Sequence, residues 1–271
     1  MNKIAIISDV HGNYEALKTV LADIEKRKIN HIYCLGDVIG KGSRSNECLD
    51  LLKNCTMTYG NWEDFFNKKS CANELDRKRY KLLNKQLSKE NKDRLKTLPL
   101  CYEIYISGRL IRMFHATPSN PRDNVLEIDR IDKMYKQFLP TKHTNNEIAD
   151  VVIYAHTHTQ NLMKLYNRTL INVGSVGNAF DIIRNKEKDG KYENTTNADY
   201  LIIEGEIDSK EHADIRFEFV SLNYDRNLEL QESKTNPELE SYTKELLTGK
   251  FRNIEKYKNN FDESYYDINK F

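Results

Sequence analysis

Short apolar runs alternate with helix-period segments along this chain. Ile4 to Ile7 is an apolar run that suits a strand buried on both faces, and it ends in Ser8, Asp9, His11, Gly12 and Asn13. Residues 13 to 27 place Leu17, Val20, Leu21 and Ile24 on one helical face and end in a Lys26–Lys28 basic cluster. His31 to Leu35 reads as the next strand and runs into Gly36-Asp37; 43 to 53 reads as a helix. Cys55 to Tyr59 reads as a third strand, followed by Gly60-Asn61-Trp62-Glu63. Strand–helix–strand order predicts a βαβ unit, and such sheets place their sites at the carboxyl ends of strands. Three strands would therefore deliver Asp9 with His11, then Asp37, then Asn61 to one sheet edge.

Residues 64 to 98 are charged and rich in helix formers, with a helix start at Ser88-x-x-Asn91 and a stop at Leu98-Pro99; they read as a pair of solvated surface helices. Tyr102–Ile106 and Leu110–Phe114 read as a hairpin about Ser107-Gly108-Arg109, ending at His115. A helix is expected over 125 to 138. Val151 to Ala155 is a further strand and ends in His156-Thr157-His158. Leu162–Leu165 and Thr169–Val173 form a second hairpin turning at Asn167-Arg168, followed by Gly174-Ser175-Val176-Gly177. The Lys/Glu/Asn-rich stretch 185 to 197 reads as a mobile loop, and Tyr200–Glu206 and Ile215–Leu222 as strands of a second sheet. Pro237 to Leu247 reads as a helix capped by Asn236, with loose packing expected over the last twenty residues.

A length of 271 residues fits one large α/β domain, and 31% charged residues give a heavily solvated surface. The net charge of +1 provides no global basic field, and no Lys/Arg stripe interleaved with aromatics points to nucleic acid. No apolar run approaches a membrane span, and the chain starts directly on a strand, so neither a membrane partner nor a signal peptide is expected. Five cysteines without Cys-x-x-Cys spacing fit a reduced, cytoplasmic setting, with Cys34 and Cys55 read as core residues.

The strand-end residues Asp9, His11, Asp37, Asn61, His115, His156 and His158 include four of the seven histidines. Carboxylates and imidazoles without thiolates suit Mn or Fe, with Zn or Ni as alternatives. Asn13 reads either as a hydrogen-bond donor to phosphate or as the cap of the following helix.

In this order the blocks Asp9-Val10-His11-Gly12-Asn13, Gly36-Asp37-Val38-Ile39-Gly40, Gly60-Asn61-Trp62-Glu63, His115 and His156-Thr157-His158 resemble the calcineurin-like metallophosphoesterase superfamily, and in particular its compact bacterial and archaeal phosphodiesterases and diadenosine-tetraphosphatase-like proteins. The likeness continues through Asn172-Val173-Gly174-Ser175-Val176-Gly177. It implies an α/β four-layer α-β-β-α sandwich, two mixed sheets face to face with helices outside. The domain would span 1–222, with a helical insertion at about 64–98 and a C-terminal helical extension, 223–271, packed on it. It also implies two divalent metal ions: Asp9, His11 and His158 on the first, Asn61, His115 and His156 on the second, Asp37 between them. Asn13, Asp37, Asn61 and His115 are the implied catalytic residues. The implied reaction is attack of a metal-bridging hydroxide on a small phosphodiester or nucleotide phosphoanhydride. A phosphomonoesterase or protein phosphatase, or a metal-binding scaffold without turnover, are the alternatives.

Two positions depart from the family pattern. Trp62 stands where many members carry a histidine that assists the leaving group, and an indole N–H only donates and has no useful acidity. Packing at the site rim, or stacking on a nucleobase or aryl group, are its two readings. No pair of arginines flanks the motifs; Arg44 and Arg112 are the nearest, each read as a surface or ion-pair residue.

Overall fold

The computed structural model describes residues 2–125, 129–184, 190–234 and 239–250. The first sheet is built on β1 (Asn2–Ile7), which pairs in parallel with β2 (His31–Cys34), itself parallel to the short β3 (Thr56–Met57). On its other side β1 pairs antiparallel with β10 (Tyr192–Gly205), and β10 with β11 (Arg216–Leu222). The two late strands expected in a second sheet therefore complete the first. β1 has both edges open to pairing and Ile4 to Ile7 are fully buried, so an apolar partner is recruited on each side.

The second sheet contains β4 (Cys101–Ile106), β5 (Arg109–Phe114), β6 (Val151–Tyr154), β7 (Gln160–Leu165) and β8 (Arg168–Val173), in the order β4-β5-β6-β8-β7. β5, β6 and β8 run parallel, while β4 and β7 close its edges antiparallel. The hairpin β7–β8 turns at Tyr166-Asn167, one residue before the expected position, with Tyr166 at φ 55°.

Between the sheets lies a core of Ile4, Ile6, Leu35, Ile111, Met113, Ile153, Ile171, Val173, Leu201 and Ile203. The alternate residues Ala5 and Ile7 face the other way, onto a core with Leu17, Val20 and Ile24 of α1 (Tyr14–Lys26) and Cys48 and Leu49 of α2 (Ser45–Leu51). Outside the second sheet, Met134 of α6 (Ile131–Tyr135) and Phe138 of the 3₁₀ turn that follows it cover Phe114, Val152 and Tyr154. Helix, sheet, sheet and helix thus form a four-layer α/β sandwich of two mixed sheets.

Several boundaries differ from the sequence expectation. Residues 61 to 98 hold three helices, α3 (Asn61–Lys68), α4 (Glu74–Gln86) and α5 (Lys89–Leu95). Leu83, Leu87 and Leu95 bury in the main core, so this segment is more than a solvated cover. The helix expected over 125 to 138 is confined to α6 and the turn after it, and 126–128 lie outside the described residues. The loop expected over 185 to 197 is strand from Tyr192, paired with β9 (Ala179–Arg184); 185–189 lie outside the described residues. Its polar composition suits a two-stranded ribbon whose outer face is solvated, a pattern that carries little apolar signal.

Beyond β11 come α7 (Arg226–Lys234) and α8 (Glu240–Thr248). They pack on each other through Leu230, Tyr242 and Leu246. Asn236 and Pro237, expected to start the last helix, and the final twenty residues lie outside the described residues. Arg44 pairs with Glu15 on α1 and with the buried Glu229 on α7. Arg112 is fully buried: its Nε donates to Glu103 at 2.8 Å and its other nitrogens to the carbonyls of Phe138, Leu139 and Glu147. All five cysteines are free thiols, and Cys34 is buried whereas Cys55 is only partly so.

Candidate metal centre

The carboxyl ends of β1 and β2 in one sheet and of β5 and β6 in the other open onto the same place. Asp9 and His11 follow β1, Asp37 follows β2, Asn61 begins α3, His115 follows β5, and His156 and His158 follow β6. Five of these seven, Asp9, His11, Asp37, His156 and His158, hold φ between 51° and 71°. Left-handed backbone is uncommon for residues other than glycine and costs about 1 kcal/mol or more each, so its concentration here marks a site that the surrounding structure forces into shape. Only glycine neighbours such as Gly12 and Gly36 hint at it in the sequence.

Asp9, His11 and His158 form one group. His158 Nε2 is 3.2 Å from Asp9 Oδ1 and 3.1 Å from His11 Nε2. Asp9, Asp37 and His115 form a second, with His115 Nε2 3.6 Å from Asp37 Oδ2. The same His115 nitrogen lies 3.0 Å from Asn61 Oδ1 and 3.2 Å from His156 Nδ1, and Asp37 Oδ2 is also 3.9 Å from His11 Nε2. Asp37 therefore lies between the His11 side and the His115 side. All seven sequence-derived candidates come together.

The donor chemistry fits cations. His115 Nδ1 donates to the Leu35 carbonyl at 2.8 Å, which fixes the tautomer and leaves Nε2 a bare lone pair. That lone pair faces the Asn61 amide oxygen and the Asp37 carboxylate, with the His156 ring nitrogen beside them at 3.2 Å. His158 repeats the arrangement: Nδ1 donates to Asn178 O at 3.1 Å, and Nε2 turns to Asp9. Asp9 Oδ1 is buried with no hydrogen-bond partner among the described residues. Carboxylate oxygens and ring nitrogens gathered this closely, with few donors among them, suit a positive charge between them. Ligand atoms about 2.1 Å from one ion stand roughly 3.0–3.4 Å apart, the spacing of the His11–His158 and His115–Asn61 contacts.

Burial sets the protonation states. It pushes His11 and His156 down to about 3 and lowers His115, so these rings are neutral and available as ligands at neutral pH. Burial, with the charges of Glu63 and Asp9 added, raises Asp37 well above the ordinary carboxylate range.

Glu63 braces this geometry, a role its position in the third block did not reveal. Its carboxylate, fully buried, accepts from the backbone N–H groups of Asp37 at 2.8 Å, Val38 at 2.9 Å and Gly60 at 3.0 Å. The Gly60-x-x-Glu63 spacing of a capping box was the available signal. Asn172 is a second missed brace, donating to Ala155 O and Thr157 Oγ1. Asn13 caps α1, Oδ1 accepting from Ala16 N, while Nδ2 donates to Gly177 O and to Tyr224 Oη. Of its two readings, the cap is the one present, and both amide hydrogens are engaged. The loop after β8 is welded to the Asp9 loop: Ser175 Oγ and Gly177 N both donate to Asp9 O. Gly177 is required there, since a Cβ would overlap the Val10 carbonyl.

Trp62 lies at the rim, edge-on to His11 at 6.0 Å and to Phe65 at 5.8 Å, with the Arg79 guanidinium 5.7 Å from its ring. Beside His158 a cavity of about 380 Å³ is lined by Thr157, Gln160, Phe180, Asp181, Asp199 and Ser221.

Residues 2–192 match the calcineurin-like phosphoesterase superfamily domain. Over 223 residues the chain is 34% identical to the uncharacterized protein MJ0912 of Methanocaldococcus jannaschii, covering 70% of this chain and 85% of that one. The fold resembles that of a metallophosphoesterase from Sphaerobacter thermophilus, with a TM-score of 0.62 and 21% identity over 92% of this chain and 99% of the other. It also resembles hypothetical protein PH1004 from Pyrococcus horikoshii OT3, with a TM-score of 0.72 and 18% identity over 93% and 100%. The two mixed sheets and the seven converging candidate residues are consistent with the metallophosphoesterase sandwich. The chain belongs to the calcineurin-like phosphoesterase superfamily.

Proposed function

We propose that the protein is a dinuclear-metal-dependent hydrolase of a small phosphodiester. The observation that carries this reading is that the groups Asp9–His11–His158 and Asp9–Asp37–His115 adjoin, with Asp37 Oδ2 3.9 Å from His11 Nε2 and 3.6 Å from His115 Nε2. Asp9, His11 and His158 would hold one divalent ion and Asn61, His115 and His156 the other, with Asp37 shared. Two such ions, Mn or Fe by donor set, would acidify a water between them and neutralise charge on the phosphoryl oxygens.

The chain's own residues do the rest. Two carboxylates and otherwise neutral ligands leave the loaded site net positive, which draws a phosphate anion in. Glu63 holds the Asp37 loop, and the Leu35 and Asn178 carbonyls hold the rings of His115 and His158, so the ligands need not reorganise as substrate arrives. None of the buried rings of His11, His115 and His156 is in its protonated, acidic form at neutral pH, and the Trp62 N–H has no useful acidity. The leaving group is therefore protonated by solvent or needs no proton, which favours substrates with acidic leaving groups; a missing general acid costs roughly 10²–10⁴ in rate otherwise. The cavity beside His158 would take the second ester arm. Asp181 and Asp199 on its wall disfavour another phosphate there, which supports a diester over a nucleotide phosphoanhydride. The expected partner is a small phosphorylated molecule.

Hydrolysis of bis(p-nitrophenyl) phosphate, comparing metal-stripped protein with the same protein given Mn²⁺, tests the reading. Mn²⁺-dependent release from the diester that exceeds release from p-nitrophenyl phosphate is the expected result. Release from the monoester alone would replace this reading with a phosphatase, and release from neither with bound metal would contradict hydrolysis of simple esters.

A further inference from the structure

The region that matches the family ends at residue 192, yet a residue 53 positions later reaches the ligand shell. Glu245 on α8 is 1% exposed. Its Oε2 accepts from Asn178 Nδ2 at 3.1 Å and from Lys41 Nζ at 3.3 Å. Asn178 is itself fully buried, and its backbone oxygen receives the Nδ1 hydrogen of His158. Lys41, with a side chain 7% exposed, lies four residues beyond Asp37 on the loop that follows β2. One carboxylate thus joins the loop bearing the shared ligand, from the first sheet, to the loop that orients His158, from the second.

The contact is built to be held. Arg44 fixes α7 through the buried Glu229, and α8 packs on α7 through Leu230, Tyr242 and Leu246. An ion pair this buried gives little net stability for its desolvation, so packing α8 alone does not require a charged pair here.

We propose that Glu245 is a positioning residue for the metal centre: through Asn178 it locks the His158 ring in its ligating tautomer and orientation, so that α8, outside the matched region, sets metal affinity. This rests on the metal-centre reading above. The chain of contact is Glu245 carboxylate to Asn178 amide to Asn178 backbone to His158 Nδ1–H, leaving Nε2 aimed at Asp9. Partners of this kind change metal affinity by roughly 10- to 100-fold when removed.

The test is titration of Mn²⁺ into metal-stripped full-length protein by calorimetry, paired with the visible spectrum of the Co²⁺-loaded protein, which reports ligand geometry without turnover. Glu245→Ala and Asn178→Ala are each expected to weaken binding roughly 10- to 100-fold and to shift the Co²⁺ bands. The double variant should be no weaker than the worse single one, because both act along one path. Glu245→Gln keeps an acceptor for the Asn178 amide and should restore most of the affinity. Glu240→Ala, on the exposed face of the same helix, should bind as wild type does. If Glu245→Ala fails to fold by circular dichroism, Asn178→Ala, which leaves the backbone carbonyl and α8 in place, carries the test. Affinity within twofold of wild type and unchanged bands in Asn178→Ala or a folded Glu245→Ala, or losses that add in the double variant, would overturn the proposal. A wild-type protein that binds no metal would instead contradict the metal-centre reading itself.

Discussion

His115 donates its Nδ1 hydrogen to the Leu35 carbonyl, and its other nitrogen meets Asn61 Oδ1, Asp37 Oδ2 and the His156 ring. That convergence makes the cluster a candidate ligand set, and it depends on single atoms. The candidate residues were legible in the sequence because each lies within a few positions of the end of an apolar run. Their left-handed backbone was not, since φ is imposed by the tertiary packing that surrounds it. Asp199 illustrates a buried acid with no such cation. Burial, reinforced by the Asp181 charge, raises it from 3.8 to about 6, against a smaller opposing effect of the Ser221 hydroxyl. The folded state then keeps a proton that the unfolded chain has already lost, so stability falls as pH rises from about 4 to about 6 and stays reduced above that. The full effect is about 3 kcal/mol. Asp199→Asn should therefore match wild type below pH 4 and exceed it by up to about 3 kcal/mol at pH 7, read from urea melts across that range. A difference that does not vary with pH would rule this out.

At the scale of elements, the parallel strands β1, β2, β5 and β6 bring their carboxyl ends to one place, and loops do the rest. The βαβ order made the first-sheet contribution readable. Assigning β10 to the correct sheet was beyond reach, because a doubly buried apolar run pairs equally well with either sheet and only the register of Ile4 with Ile203 decides it. The polar ribbon β9–β10 was missed for want of apolar alternation. Loop-to-loop contact is a stronger constraint than any strand here. Gly177 lies against the Val10 carbonyl, so Gly177→Ala must push the 174–178 loop away from Asp9. That variant should lose roughly 2 kcal/mol or more of stability, as overpacking against backbone does, and should bind Mn²⁺ at least tenfold more weakly because Ser175 and Asn178 move with it. Calorimetric titration and a denaturant melt of the same sample measure both, and wild-type values in either would show that the loops yield independently.

For the molecule as a whole, the candidate site gathers residues from the ends of strands in two sheets, and a carboxylate of α8, the last helix among the described residues, contacts two of its loops although no local pattern ties it to them. Glu245 was unreadable for that reason: it lies 67 residues from Asn178 in a polar helix, and nothing in its own neighbourhood distinguishes it from a solvated glutamate. No helix among the described residues is long and apolar enough to cross a membrane. Because the ligands span both sheets, binding should tie the layers together and stabilise the fold by about 2.7 kcal/mol when metal is at 100 times its Kd. The most direct measurement is the number of Mn²⁺ ions bound per chain, with the electron paramagnetic resonance spectrum of the loaded protein. Two ions per chain with the spectrum of a magnetically coupled pair, falling to uncoupled or absent Mn²⁺ in Asp37→Asn, is the predicted result. Saturation at one ion, or two uncoupled ions that Asp37→Asn leaves unchanged, would contradict a shared carboxylate at the centre of the site.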